Sequence, residues 1–257
     1  MKYNNQQIKS CLQRIAHILM INGGFLYNPG LYTGEMGLVL FLFRYSRFTQ
    51  NMLYADYCFE LIETFENRIH KDTPIDYNEG LAGIGSAIEY LVQNGFIETD
   101  TDDTLEDFDN QIFSINNLPC LSIEEIKSVV YYAIWRISGN SSKKDAIRQT
   151  ILPKIMICKE ERWGKLSVPA FLQLIRKEKS DSYSIKTNDL LLEQIMGNDQ
   201  LLTKNIELGI QNGLAGLGMT LITELDGDNS WCSLFPDYLT PPLPYTEINN
   251  LVINPKL

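Results

Sequence analysis

Apolar residues recur along this chain at the spacing of helices. Ile8, Leu12, Ile15, Ala16 and Leu19 mark one face of a first amphipathic helix. Residues Gly34–Tyr45 contain the run LVLFLF and are apolar nearly all round, as in a helix buried on every side. Met52, Tyr54, Ala55, Cys58, Leu61, Ile62 and Phe65 then form a one-sided stripe with Glu60, Glu63 and Glu66 outside it, the pattern of an outer, half-wet helix. Leu81, Ile84, Ala87, Ile88, Leu91 and Val92 repeat the inner type, and Leu105, Phe108, Ile112 and Phe113 the outer one. The same period predicts helices over Ile123–Ile137, Lys143–Cys158, Pro169–Lys177, Asp189–Gly197 and Gly213–Leu225. Strand signals are few, and the run PKIMICKE continues the helical pattern before it. The expected fold is all-α, one domain over residues 1–257 with a proline-rich tail at 235–257.

The inner helices share an unfavourable feature. YNEGLAGIGSAIEYL at 77–91 and IQNGLAGLGMTLITEL at 210–225 open on glycines, and LYTGEMGLVLFLF at 31–43 is a looser copy. Glycine costs about 1 kcal/mol against alanine inside a helix, so its reuse needs a reason. Gly34 and Gly80 are 46 residues apart, and Gly80 and Gly213 are 133 apart, close to three times 44. Periods of this length mark stacked supersecondary units that bury their faces on one another. Each unit is read as a glycine-led inner helix and an amphipathic outer helix, with two eroded units between Phe113 and Asn205. An inner ring inside an outer ring is an α/α toroid of helical hairpins, complete or partial; a linear solenoid is the competing arrangement, but its helices are rarely as apolar all round as Leu38–Phe43. Glycines at i and i+3 share a helix face and admit a neighbouring backbone. At the first turn they are also expected to leave helix N–H groups uncovered and turned toward the centre.

Charge narrows the partners. With 22 Lys+Arg against 32 Asp+Glu the net charge is −10, which argues against nucleic acid and an anionic membrane surface. No apolar run reaches the roughly 18 residues of a spanning helix, so membrane insertion is not expected. The N-terminal segment lacks a secretory pattern, and Cys11, Cys58, Cys120, Cys158 and Cys232 are scattered and odd in number. Reduced, buried thiols in a cytoplasmic protein are the expectation.

The motifs GEMG, GLAG and GLAG, with the stretches around them, resemble the lanthionine synthetase C-like family. The similarity is closest to short members from Bacteroidetes peptide-maturation clusters and covers under half of the chain. The resemblance implies an α/α toroid whose inner helices open on Gly-x-x-Gly, and a setting in ribosomal peptide modification. Cyclases of that family hold zinc with two cysteines and a histidine, including an adjacent Cys-His pair; the metal activates a peptide thiolate. This chain has no Cys-His pair, and its two histidines, His17 and His70, lie outside the glycine-led helices. SWCSL at 230–234 is similar to one zinc-ligand motif, yet Cys232 follows the last inner helix instead of opening one. Cys120 and Cys158 precede Leu121 and Lys159, so the match fails there too. Zinc is therefore not expected, and neither is another cofactor.

The leading expectation is a non-catalytic component that binds or presents a precursor peptide to maturation proteins. One alternative is a zinc-dependent lanthipeptide cyclase using unrecognised ligands. Another is a glycoside hydrolase-like enzyme, which needs two carboxylates roughly 5–10 Å apart; Glu35, Asp76 and Glu79 open inner helices and are its catalytic candidates. Gly34, Gly37, Tyr77, Gly80, Gly83, Gly213 and Gly216 are expected to line the central cavity. The acidic run ETDTDDTLEDFD at 98–109 lacks the glycine and terminal glutamate of a calcium loop. It reads as a solvated helix start capped by Thr99 or Thr101. Neither a nucleophilic dyad nor a phosphate loop is recognisable. Pro236, Pro241, Pro242 and Pro244 exclude a continuous helix in the tail, which is expected to pack on its own domain.

Overall fold

The computed structural model describes residues 3–113, 122–149 and 207–235, with positions 151, 192 and 195. The helix expected at Pro169–Lys177, that at Asp189–Gly197 except for Leu192 and Ile195, most of the segment between Phe113 and Asn205 with Cys120 and Cys158, and the tail after Phe235 lie outside the described residues. Every regular element among the described residues is helical.

Helix α1 (Asn5–Asn22) starts on a capping box: the Gln7 N–H donates to Asn4 Oδ1 and the Asn4 N–H to Gln7 Oε1, both at 2.9 Å. Its buried side is Ile8, Cys11, Leu12, Ile15, Ala16 and Leu19, the stripe that periodicity marks. Helix α2 (Glu35–Thr49) is buried without a break from Glu35 to Ser46. Helix α3 (Leu53–Glu66) is half-buried through Tyr54, Ala55, Cys58 and Leu61. Met52, counted in its stripe by sequence, falls just before the helix and is exposed. Helix α4 (Leu81–Gln93) is again of the inner type.

The acidic run departs most from expectation. Its cap is Asp100, whose carboxylate accepts the Asp102 N–H, and Leu105 breaks the segment into α5 (Thr101–Thr104) and α6 (Glu106–Phe113). The run is not simply solvated, because Thr101 and Asp109 are buried. Both are drawn in by Arg136 of α7 (Ile123–Ser138), which is itself fully buried. Arg136 donates to Asp109 (3.0 and 2.7 Å), Asp102 (2.8 Å), Thr101 (3.1 Å) and Glu89 of α4, engaging all five of its N–H groups. A charge taken out of water demands such complete pairing.

Helix α8 (Leu214–Asp226) is again of the inner type and is followed by a 3₁₀ turn at Ser230–Leu234. Although last in sequence among the described α-helices, α8 packs against α1 and α2, while α2 also packs against α3 and α4, and α4 against α6 and α7. Arg44 on α2 holds the α8 end, bonding Asp226 and the Asp228 carbonyl.

The glycines are explained by their own loops. Chain segments 28–34, 74–80 and 207–213 each fold back over the helix they precede. Glu35, Leu81 and Leu214 donate their N–H groups to the carbonyls of Asn28, Pro74 and Glu207, each at 2.9 Å. A Cβ on Gly34, Gly80 or Gly213 would come within 3.0 Å of those same three carbonyl oxygens. A Cβ on Gly37, Gly83 or Gly216 would likewise strike the carbonyls of Leu31, Tyr77 and Ile210. The close backbone is thus the residue six positions earlier, and first-turn N–H groups expected to be uncovered are occupied.

Adjacent loops also dock in a common register. Ile210 and Gln211 donate to the Tyr32 carbonyl (2.8 and 2.9 Å); Leu31 and Tyr32 donate to the Asn78 carbonyl (both 2.9 Å). Counted from the helix-opening glycine, donors and acceptors occupy the same positions in both pairs.

Candidate functional site

The next step in that series falls on α7. The Tyr77 N–H donates to Ser128 Oγ at 2.8 Å, so a side-chain hydroxyl takes the place of a loop carbonyl. Ser128 in turn donates to the Glu124 carbonyl (2.8 Å), which fixes the hydroxyl on its own helix. The α7 start is held by a capping box between Ser122 and Glu125.

Between these elements lies a cavity of about 400 Å³, within the roughly 300–1,000 Å³ range of small-ligand sites. Tyr32 comes from the loop before α2; Asp76, Tyr77 and Asn78 from the loop before α4; and Gln211 from the loop before α8. The first turns of α7 supply Glu124, Lys127, Ser128 and Tyr131. Tyr32, Asn78 and Gln211 each precede a helix-opening glycine by two residues. One repeated position therefore supplies three sides of the wall.

Tyr77 and Tyr131 meet edge to face, with centroids 5.2 Å apart and planes at 70°. Tyr32 is backed by Phe235 in the same manner at 5.1 Å. Asp76 Oδ1 accepts the N–H groups of Asn78 and Glu79, both at 2.9 Å, and so shapes the turn that carries Tyr77. Lys127 pairs with Glu124 at 3.1 Å.

The residues singled out by sequence separate here. Asp76 and Tyr77 line the cavity. Gly34, Gly37, Gly80, Gly83, Gly213 and Gly216 are not among its lining residues and sit behind it, under their loops. Glu79 turns its carboxylate to the neighbouring loop, accepting from Thr33 N (3.2 Å), Thr33 Oγ1 (2.7 Å) and Asn28 Nδ2. Glu35 is fully buried and paired with Arg68. Burial raises the Glu35 carboxyl above its ordinary value, and Arg68 opposes the rise. The three acids thus do different work: one clamps two loops, one forms an internal ion pair, and one reaches the cavity.

Glu124, Lys127, Ser128 and Tyr131 escaped sequence reasoning because α7 has no glycine start to flag it. Tyr32, Asn78 and Gln211 had a usable signal in their shared offset from Gly34, Gly80 and Gly213. Of the described residues, those that line the cavity include neither cysteine nor histidine. Among the described residues no group of three or more His, Cys, Asp or Glu is placed to hold a metal. Cys11, Cys58 and Cys232 are buried thiols in the core, and His17 and His70 are exposed. No described helix is long and apolar enough to cross a membrane. No protein-family model, curated protein or solved structure matches the chain.

Proposed function

We propose that the chain is a lanthionine synthetase C-like α/α toroid, complete or partial, that binds a precursor peptide without catalysing its cyclisation. The ring reading is supported by the packing order: the last glycine-led helix, α8, lies against the first, α2, and repeats the loop register between α2 and α4. Such adjacency of the first and last glycine-led helices suits a ring better than a linear stack.

The observation that carries the binding reading is the cavity at the helix-start end, walled by three tyrosines and the amides of Asn78 and Gln211. Phenol faces and amide groups together suit a peptide, whose backbone offers donors and acceptors and whose side chains offer apolar surface. The described residues of the wall supply donors, acceptors and rings.

The test is calorimetric titration of the full chain with candidate ribosomal precursor peptides from the genes that neighbour its own. One-to-one binding that Tyr131→Ala weakens about tenfold is the expected result, the size of a lost aromatic contact of roughly 1.4 kcal/mol. Absence of binding to the wild-type protein would overturn the reading. Stoichiometric zinc in metal-free-buffer preparations of the full chain, with thioether formation on a dehydrated peptide, would replace it by the cyclase alternative.

A further inference from the structure

The groups that wall the cavity differ in what they already bind, and this selects the charge of a ligand. Lys127 donates to both Glu124 oxygens, at 3.1 and 3.3 Å, so this pair is internally neutralised. Ser128 is engaged on both sides, accepting from Tyr77 and donating to Glu124. Asp76 is different. Its Oδ1 receives two backbone N–H groups, and among the described residues no Lys, Arg or His forms an ion pair with it. It is only half-buried.

Tyr32, Tyr77 and Tyr131 line the same cavity, Tyr131 as the most exposed of the three. The faces of phenol rings carry negative potential and attract ammonium groups, and a nearby carboxylate adds direct charge attraction. An anionic ligand would meet the Asp76 carboxylate, while Lys127, the one cationic side chain among the described lining residues, is paired with Glu124. The chain's net charge of −10 adds long-range attraction for a cation.

We propose that this cavity selects a primary ammonium group, either a lysine side chain or the free N-terminus of a peptide. The proposal rests on the peptide-binding reading and specifies which part of the peptide enters. Asp76 supplies the counter-charge, the three tyrosines enclose the alkyl stem and the cation, and Asn78 and Gln211 at the rim bond the adjoining backbone.

The experiment titrates the full chain, by heteronuclear NMR, with three probes: Nα-acetyl-lysine amide, glycinamide and Nα-acetyl-norleucine amide. Norleucine keeps the stem and removes the charge. Saturable shifts from an amine probe, with norleucine at least about tenfold weaker, are expected. Preference between acetyl-lysine amide and glycinamide tells a side chain from a terminus. Asp76→Asn preserves an Oδ1 acceptor for Asn78 and Glu79 and should cut amine binding about tenfold while leaving the norleucine probe unchanged. Tyr131→Leu, on α7 and independent of the Asp76 turn, should weaken the amine probes more than norleucine, because leucine still covers the stem but lacks the ring face; it serves if the Asp76 variant does not fold.

Norleucine binding equal to acetyl-lysine amide, no binding by either amine, or unchanged amine affinity in Asp76→Asn would overturn the proposal. Precursor-peptide binding that survives Asp76→Asn would overturn this inference alone. Amine binding without precursor-peptide binding would refute the presentation role and leave the ammonium site standing.

Discussion

Replacing Gly83 by alanine sets helix propensity against packing, and the two forecast opposite signs. Propensity alone favours alanine by about 1 kcal/mol. In the folded protein the new Cβ would fall inside 3.0 Å of the Tyr77 carbonyl, a backbone group that has no rotamer to escape into. Leu31 Cβ stands behind it at 3.1 Å, so helix and loop must separate by roughly 1 Å, a displacement in the class of overpacking that costs about 1–3 kcal/mol. The loop that would move is anchored by the Tyr77–Ser128 bond and by two N–H groups on the Asn78 carbonyl. Weakening these bonds, each worth about 1 kcal/mol, raises the cost further. The net expectation is a loss of about 3 kcal/mol, or roughly 6–12 °C in melting temperature for a chain of this size. Urea unfolding followed by tryptophan fluorescence and circular dichroism measures it. Gly24→Ala is the control, since nothing lies within 4 Å of its Cβ position, and it should remain near wild type. A Gly83→Ala protein as stable as wild type would refute the packing explanation of the glycine motif.

Arg136→Met should cost about 3–5 kcal/mol in the same urea assay, because it strands Glu89 and Asp109 without their buried counter-charge; a loss below about 1 kcal/mol would show the network to be expendable. Burial raises the Asp102 carboxyl, but hydrogen bonds from Ser141, Ser142 and Arg136 outweigh it and hold the pKa well below the ordinary 3.8. Burial likewise opposes, and Ser230, Arg44 and Arg47 outweigh, the effect on Asp228. With folded values depressed, both acids contribute stability that is complete above the ordinary value and is lost as pH falls below it. The slope of unfolding free energy against pH below about 4 should therefore flatten in Asp102→Asn, and an identical acid limb would contradict this assignment. Desolvation pushes the Cys11 thiol up to about 11 against the pull of Arg14, and lifts Cys58 well above 9.0. Iodoacetamide at pH 8 should leave the peptides carrying Cys11 and Cys58 unmodified in the native protein and alkylate both in urea, as read by mass spectrometry; native labelling at the rate of a free thiol would refute their burial.

Much of the fold was legible because amphipathic periodicity is local. The α1 stripe from Ile8 to Leu19 and the all-round burial of α2 follow from which residues recur each helical turn, whatever packs against them. The opening glycines announced helix starts for a similar reason: their partners, the carbonyls of Asn28, Pro74 and Glu207, lie only six residues back. The acidic run was misjudged because its explanation is distant. Asp102 and Asp109 look like a solvated first turn until Arg136, a whole helix later, is brought beside them. Glu35 and Glu79 misled in the same way, resembling cavity acids until Arg68 and Thr33 were seen to bind them.

The sequence by itself determined that this chain is built from helices, where the inner ones begin, and that each beginning needs glycine. Helical period and short-range steric contact are enough to decide those matters. Only the tertiary structure decided that α8 returns to α2, that Ser128 continues the loop series without a glycine motif, and that Asp76 alone among the three candidate acids reaches the cavity. Those outcomes depend on which surfaces meet across long stretches of chain, where the partner of a charge or carbonyl is chosen by packing and no spacing along the sequence encodes it.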